Sequence, residues 1–273
     1  MARKTGLDHD DLTRRAKKIA EIQDKRERML ENERYMPVVK ANSLIQKNRY
    51  ELSAREQKIV LYLISKIRPE AQELKTIELS LNEFCKITGI DNFGGGYYKE
   101  IKETVKALRD KSMYITVDDD REVLVSWVNK AAFSKSKGNI EIRLDDDLIP
   151  YLLNVKKFYT AYALSNVISM NSKYGIRLYE LLKSYANRRH IKFEIEELKR
   201  LLCAEKYENI TNFKKKVIEP ALNDIEKYAD IKVSVIYHKQ KNKFTHIEFV
   251  ITDISGTDEY YTKMDLLEQE RAK

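Results

Sequence analysis

Three consecutive lysines, Lys214, Lys215 and Lys216, stand inside NFKKKVIEPALNDIEKYADIKVSV (212–235). The apolar residues of that stretch, Phe213, Val217, Ile218, Ala221, Leu222 and Ile225, recur at helical spacing. Lysines at a helix N-terminus oppose the macrodipole, at a cost of roughly a few tenths of a kcal/mol. The placement becomes favourable where a phosphate or a guanine edge arrives, so the chemistry it suggests is polyanion recognition. A solvated charged face is the plainer reading of a lysine run. Two further groups argue against it: Lys239, Lys241 and Lys243 in the turn HKQKNK (238–243), and Arg188 and Arg189 upstream. Each phosphate contact from such residues would steepen a log–log salt dependence by about 0.9.

Catalytic chemistry finds no comparable support. His9, His190, His238 and His246 have neither HxH nor HExxH spacing, so no metal centre and no metal-dependent nicking site is expected. Most of the seventeen tyrosines fall where a half-buried aromatic with a polar tip belongs, as at Tyr62, Tyr179 and Tyr228. Asp145, Asp146 and Asp147 precede LIPYLL, where helix capping accounts for them. Gly94-Gly95-Gly96 lacks the Gly-Lys-Ser/Thr ending of a phosphate loop and reads as a hinge. No catalytic residue and no cofactor is expected.

The chain of 273 residues carries a net charge of +8. Its excess is uneven: residues 171–250 hold 17 basic against 11 acidic residues, whereas residues 36–150 hold 19 against 18. A basic balance favours polyanionic partners without choosing among them. No apolar run approaches the roughly 20 residues of a membrane span, and MARKTGLDHDDLTRRAKK has no apolar core of a secretory signal; two distant cysteines form no disulfide framework, so a reduced, cytoplasmic setting is expected. Cys85 and Cys203 lie far apart, without metal-binding neighbours, and read as buried packing.

The elements that position these residues occur twice. LSAREQKIVLYLISKI, TIELSLNEFCKITGI and YYKEIKETVKALRDKSMYITV correspond to MNSKYGIRLYELLKSYA, IKFEIEELKRLLCAE and FKKKVIEPALNDIEKYADIKVSV. Leu61-Tyr62 maps onto Leu178-Tyr179, Cys85 onto Cys203, and Ala107-Leu108 onto Ala221-Leu222, at a near-constant offset of 117 and 118 that drops to 114 at the longer loop IDNFGGGYY. Each copy decodes as a helix after a cap at Ser53 or Ser172, a strand at 76–79 or 191–193, and a second helix at 81–88 or 194–203. A third helix follows at 97–111 or 212–228, then a hairpin at 113–127 or 231–251. Strand-like residues 130–144 around SKSKG would extend the first sheet or form a subunit contact. The fold class is therefore α+β: two tandem winged helix-turn-helix domains related by internal duplication. A charged arm, 1–35, precedes domains at 36–155 and 156–252, and an acidic tail, 253–273, follows.

In this fold the third helix of the second copy enters the major groove and the wing reaches flanking phosphates. Pro220 either bends that helix, by removing a hydrogen bond to the Lys216 carbonyl, or starts a new helix after one ending near Ile218. The unbroken apolar spacing favours a single bent helix. In the first copy Tyr97, Tyr98, Lys99, Lys102 and Lys106 line the third helix. With local charge near zero, that copy suits weak backbone contact or dimerisation.

VVKANSLIQ (38–46), LSAREQKIVLYLIS (52–65) and FKKKVIEPALNDI (213–225) resemble the plasmid replication initiator family of tandem winged-helix proteins, over about residues 36–252. The resemblance implies a protein without nuclease or helicase activity that binds double-stranded DNA at iterons, the direct repeats of plasmid origins. It implies Asn212, Lys214, Lys215 and Lys216 as base and phosphate contacts, with 97–106 as the weaker second contact. It also implies monomers active at the origin, a homodimer repressing the initiator's own gene, and host partners such as a helicase or host initiator. A winged-helix transcriptional regulator on a palindromic operator would share nearly every residue-level feature.

Overall fold

The computed structural model of the chain describes residues 36–90, 96–118 and 120–272, together with Arg14, Lys17, Lys18, Ala20 and Glu21. The rest of the arm, and Gly94-Gly95 of the expected hinge, lie outside the described residues. Pro37–Ala41 (β1) and Asn42–Gln46 (α1) lead to Ala54–Ser65 (α2). There the Ser53 amide donates to the Glu56 carboxylate at 2.7 Å, and the Glu56 amide donates to the Ser53 hydroxyl at 3.3 Å. That reciprocal cap satisfies two orphan donors and sets the helix start where the sequence placed it.

Ile77–Ser80 (β2), Leu81–Thr88 (α3) and Tyr97–Arg109 (α4) complete the first helical layer. Ser80 caps α3, and Gly89, left-handed at φ 70°, ends it. Four strands follow: Ser112–Thr116 (β3), Glu122–Ser126 (β4), Val128–Ser134 (β5) and Asn139–Leu144 (β6). After Asp145, whose carboxylate accepts from the Asp147 amide as expected of a cap, comes Ile149–Leu152 (α5).

Tyr159–Ala163 (β7) and Ser165–Ile168 (α6) open the second half. Lys173–Lys183 (α7), His190–Glu194 (β8) and Ile195–Leu201 (α8) follow, α7 beginning at its Ser172 cap. The third helix runs unbroken from Ile210–Phe213 (α9) through a wide turn to Glu219–Tyr228 (α10). Ile231–Gln240 (β9) and Lys243–Asp253 (β10) form the long hairpin.

The duplication extends to the sheets. In the second half β8 pairs with β10, which pairs with β9; in the first, β2 pairs with β6, which pairs with β5. The short strand after the first helix thus always joins the second strand of a hairpin. This corrects one expectation: the first-copy hairpin equivalent to 231–251 is β5–β6, with SKSKG at its tip. Residues 113–127 form a separate pair, β3–β4. Trp127, 1% exposed and edge-on to Tyr50, sits at the break between β4 and β5. Burying that ring turns the strand from one hairpin into the next.

One connected apolar core spans both halves. At the joint, β1 pairs antiparallel with β7 from Pro37↔Ala163 to Ala41↔Tyr159. Lys40 of β1 and Glu180 of α7, both 1% exposed, form an ion pair there. The Glu180 carboxylate also accepts from the hydroxyls of Tyr50 and Tyr162. Arg177, one turn earlier, donates to the Ile45 and Asn48 carbonyls at 2.6 and 2.8 Å. Burial alone would raise the Glu180 carboxyl, but Lys40 and then Arg177 outweigh it and hold the carboxyl below its usual range.

Two features fasten the third helix of the second copy to α7. Asp224 accepts the Asn171 and Ser172 amides at 3.0 and 2.7 Å, and a Cβ built on Gly175 would lie 2.8 Å from the same carboxylate. Only glycine permits that approach. Residues expected as an acidic tail form the helix Asp258–Ala272 (α11), with Tyr260 and Met264 buried. The Tyr260 hydroxyl donates to the Asn166 side chain at 2.9 Å, and Lys263 to the Ala229 carbonyl at 2.7 Å. Cys85 and Cys203 are both buried, as expected.

Candidate nucleic-acid interface

The third helix of the second copy starts at Ile210, two residues earlier than the apolar pattern predicts, because Asn209 caps it through the Thr211 amide at 2.7 Å. Phe213, Val217, Ile218, Ala221 and Ile225 are buried; Thr211, Asn212, Lys215 and Lys216 are exposed. The lysines therefore stand after the first turn rather than within it, which reduces their conflict with the macrodipole. Thr211, absent from the sequence-based candidates, joins Asn212 on the exposed N-terminal turn. Only the Asn209 cap could have announced it.

Lys214–Ile218 form a π-helical turn, in which the Glu219 amide donates to the Lys214 carbonyl five residues back. This answers Pro220. The wider turn moves carbonyls off the register in which the pyrrolidine ring would collide, and no amide is required at Pro220. The single-helix expectation is correct, and its irregularity is a local widening under the lysine run.

The three lysines do not act alike. Lys214 is half-buried, its Nζ 3.6 Å from the Tyr237 ring centroid and 4.0 Å from that of Phe244. Those rings meet edge-to-face across β9 and β10. Burial, and then the charge of Lys239, lower the Lys214 ammonium from its ordinary value. Lys214 thus pins the wing to the helix, a role its place in a lysine run conceals. Replacing Lys214 with alanine should cost about 1–2 kcal/mol of stability, read as a lower urea midpoint. The salt slope of duplex binding should stay at the wild-type value; a fall near 0.9 would instead put Lys214 on a phosphate.

That clamp seats the start of the lysine run against the wing near its tip, with Lys215 and Lys216 exposed beyond it. Lys239, Lys241 and Lys243 are all exposed there, and Lys241 turns the chain in a left-handed conformation at φ 54°. Lys239 also covers the Phe244 ring at 4.5 Å. Arg188 and Arg189 are exposed but not part of this group. The Arg189 carbonyl accepts from the Ile251 amide at 2.7 Å. Ile251 lies eight residues along β10 from Lys243, about 27 Å at strand rise. On the same sheet Glu248 accepts from His190 at 3.1 Å and His238 at 2.7 Å, and these bonds hold its carboxyl below the ordinary range.

In the first copy, Tyr97 and Tyr98 pack half-buried on the core. Lys99 pairs with Glu103 at 3.7 Å, Lys106 pairs with Asp110, and Lys102 lies about 6 Å from the Tyr98 and Phe133 rings. A groove of about 700 Å³ runs between α4 and β5, floored by Tyr98, Val105, Ala131 and Phe133. Two of its three sequence-predicted lysines are already matched by acids on their own helix. Among the described residues, no group of three or more His, Cys, Asp or Glu could hold a metal ion, and no helix is long and apolar enough to cross a membrane.

Two copies of one helical unit, each closed by a hairpin sheet, with the third helix and wing of the second joined in a basic ridge, define a tandem winged-helix protein. The chain belongs to the initiator replication protein family: the family's first winged-helix model matches residues 37–183 and its second matches residues 194–251. A replication initiation protein of Escherichia coli is 27% identical over 214 residues, covering 72% of this chain and 64% of that protein. The PI protein of Escherichia coli is 24% identical over 145 residues, 46% of this chain and 47% of that protein. The chain thus spans less than two thirds of the length of either relative. The crystal structure of the Pi initiator protein in complex with iteron DNA matches with a TM-score of 0.64 at 17% identity. It covers 81% of this chain and 98% of that one, a likeness of fold.

Proposed function

We propose that this chain is a plasmid replication initiator that binds iterons, the direct repeats of its origin, as double-stranded DNA. The observation that supports the reading is the contact of Lys214 with Tyr237 and Phe244, which joins a helix bearing exposed Lys215 and Lys216 to a wing bearing exposed Lys239, Lys241 and Lys243, in a chain of the initiator family. The helix supplies Thr211 and Asn212 toward base edges, and the wing supplies ammonium groups to phosphates. Residues 36–155 and 156–252 act as the two DNA-facing units, the second as the stronger. Arg188 and Arg189 are peripheral contacts. In the first unit Tyr97, Tyr98, Lys99, Lys102 and Lys106 make the weaker contact.

The activity proposed is DNA marking and distortion that recruits host replication proteins in the cytoplasm, without nuclease or helicase chemistry; family membership supports an initiator over an ordinary enzyme. A homodimer would repress the initiator's own gene. Tyr114 and Leu124, cross-strand partners 62% and 57% exposed on the β3–β4 hairpin, support such a contact in the first unit. Footprinting on the DNA upstream of the gene tests the reading. Regularly spaced protection over several direct repeats is expected; a single protected palindrome would make the chain a repressor.

A further inference from the structure

From the end of α5 into the first residue of β7 the chain reads Asn154-Val155-Lys156-Lys157-Phe158-Tyr159. Phe158 is 83% exposed, the most exposed large apolar side chain among the described residues, and Tyr159 is 48% exposed. Phe158 is also left-handed, at φ 54°, as is Asn154 at φ 52°. A bulky L-residue rarely adopts that conformation, because its Cβ crowds the backbone. Here both ends of the segment are tied down. The Asn154 amide donates to the Pro69 carbonyl at 2.6 Å, and its side chain to the Ala71 carbonyl at 2.9 Å. At the other end, the Phe158 carbonyl accepts from the Asn42 amide at 2.7 Å, and the Asn42 side chain accepts from Thr160 at 2.6 Å.

The result is a short anchored arch that holds an aromatic ring out in water at the seam of the two winged helices. Solvation and backbone sterics both disfavour phenylalanine at this point, and nothing among the described residues repays that cost, so the placement points to a bound partner. Lys156 and Lys157 are exposed beside it, and no acidic residue occurs in sequence between Asp147 and Glu180. Near the Asn154 anchor, Arg68 and Glu70 flank Pro69 and offset each other. An apolar protein pocket would use the ring but not the two ammonium groups. A nucleic-acid strand uses both, stacking bases on rings while lysines hold phosphates.

We propose that Lys156, Lys157, Phe158 and Tyr159 form a nucleic-acid contact separate from the lysine ridge, in which Phe158 stacks on a nucleobase taken out of its helical stack. The proposal rests on the DNA-binding reading above. The exposed base comes either from a separated strand or from a kinked step within a duplex.

The test uses the full chain with two probes, a poly-dT oligonucleotide and the duplex protected in the footprint. Phe158→Ala, Phe158→Trp and Lys156→Gln/Lys157→Gln are compared with wild type by fluorescence anisotropy. The ring is exposed and its backbone is anchored, so circular dichroism should find Phe158→Ala folded. Phe158→Ala should lower affinity for at least one probe about tenfold, and Phe158→Trp should restore it. The native Trp127 is buried, so emission from the new tryptophan reports on the arch and should be quenched by DNA. Loss confined to poly-dT identifies a separated strand; loss confined to the duplex identifies a kinked step. Unchanged affinity for both probes, without quenching, overturns the proposal. In that case loss of duplex binding by Lys215→Gln/Lys216→Gln in the same assay would show that the principal interface stands; a wild type that binds neither probe would overturn both readings.

Discussion

Glu180→Leu should destabilise the protein by about 3–5 kcal/mol, whereas Lys40→Met should cost clearly less. The asymmetry follows from the charge count at the joint, where one buried carboxylate faces two buried cations, Lys40 and Arg177. Removing Glu180 strands both cations and leaves the Tyr50 and Tyr162 hydroxyls without their acceptor. Removing Lys40 leaves Arg177 and Glu180 as a balanced pair. Urea midpoints at neutral pH measure the difference, and equal losses for the two variants would refute the charge argument. The pH dependence has a definite sign. Because the folded Glu180 carboxyl is held low, its contribution is complete above the ordinary carboxylate range and is lost as pH falls through the folded value. Wild-type stability should therefore fall on acidification below about pH 4, and Glu180→Leu should flatten that part of the curve.

Lys215→Gln/Lys216→Gln should reduce the log–log salt slope of duplex binding by about 1.8, or about 0.9 for each ammonium group taken off a phosphate. Affinity should fall most at low salt and about equally for matched and unmatched sequences if both lysines touch only phosphates. A loss concentrated on the matched repeat would put one of them on a base edge. Lys99→Gln/Lys106→Gln should change the slope less, because Glu103 and Asp110 stand beside those lysines and offset part of their attraction for phosphate. Titration of a labelled duplex across a range of salt concentrations measures both pairs. An unchanged slope for the Lys215/Lys216 pair would remove the ridge from the interface.

The contrast among the lysines shows where sequence reading stops. Asn212, Lys214, Lys215 and Lys216 lie within one short stretch of the chain, and periodicity assigns them all to the start of one helix. Whether each faces solvent depends on a two-residue extension of the helix capped by Asn209 and on where Tyr237 and Phe244 fall across a hairpin. Arg188 and Arg189 show the converse. Their charge suggested membership in the ridge, but the antiparallel register of β10 carries them to the opposite end of the sheet from its tip.

Local and repeated information belonged to the sequence itself. Caps at Ser53, Ser80 and Ser172, apolar stripes at helical spacing and alternation in the hairpins each depend on neighbours a few residues away. They therefore determined the element order, the duplication and the tandem winged-helix class. Tertiary structure alone decided which hairpin seals the first copy and how the chain passes Pro220 through a π-helical turn. It also decided that Lys40 and Glu180, 140 residues apart, share one buried site. These outcomes depend on burial and on charge at low dielectric. Both are properties of the packed chain, and spacing along the sequence does not encode them.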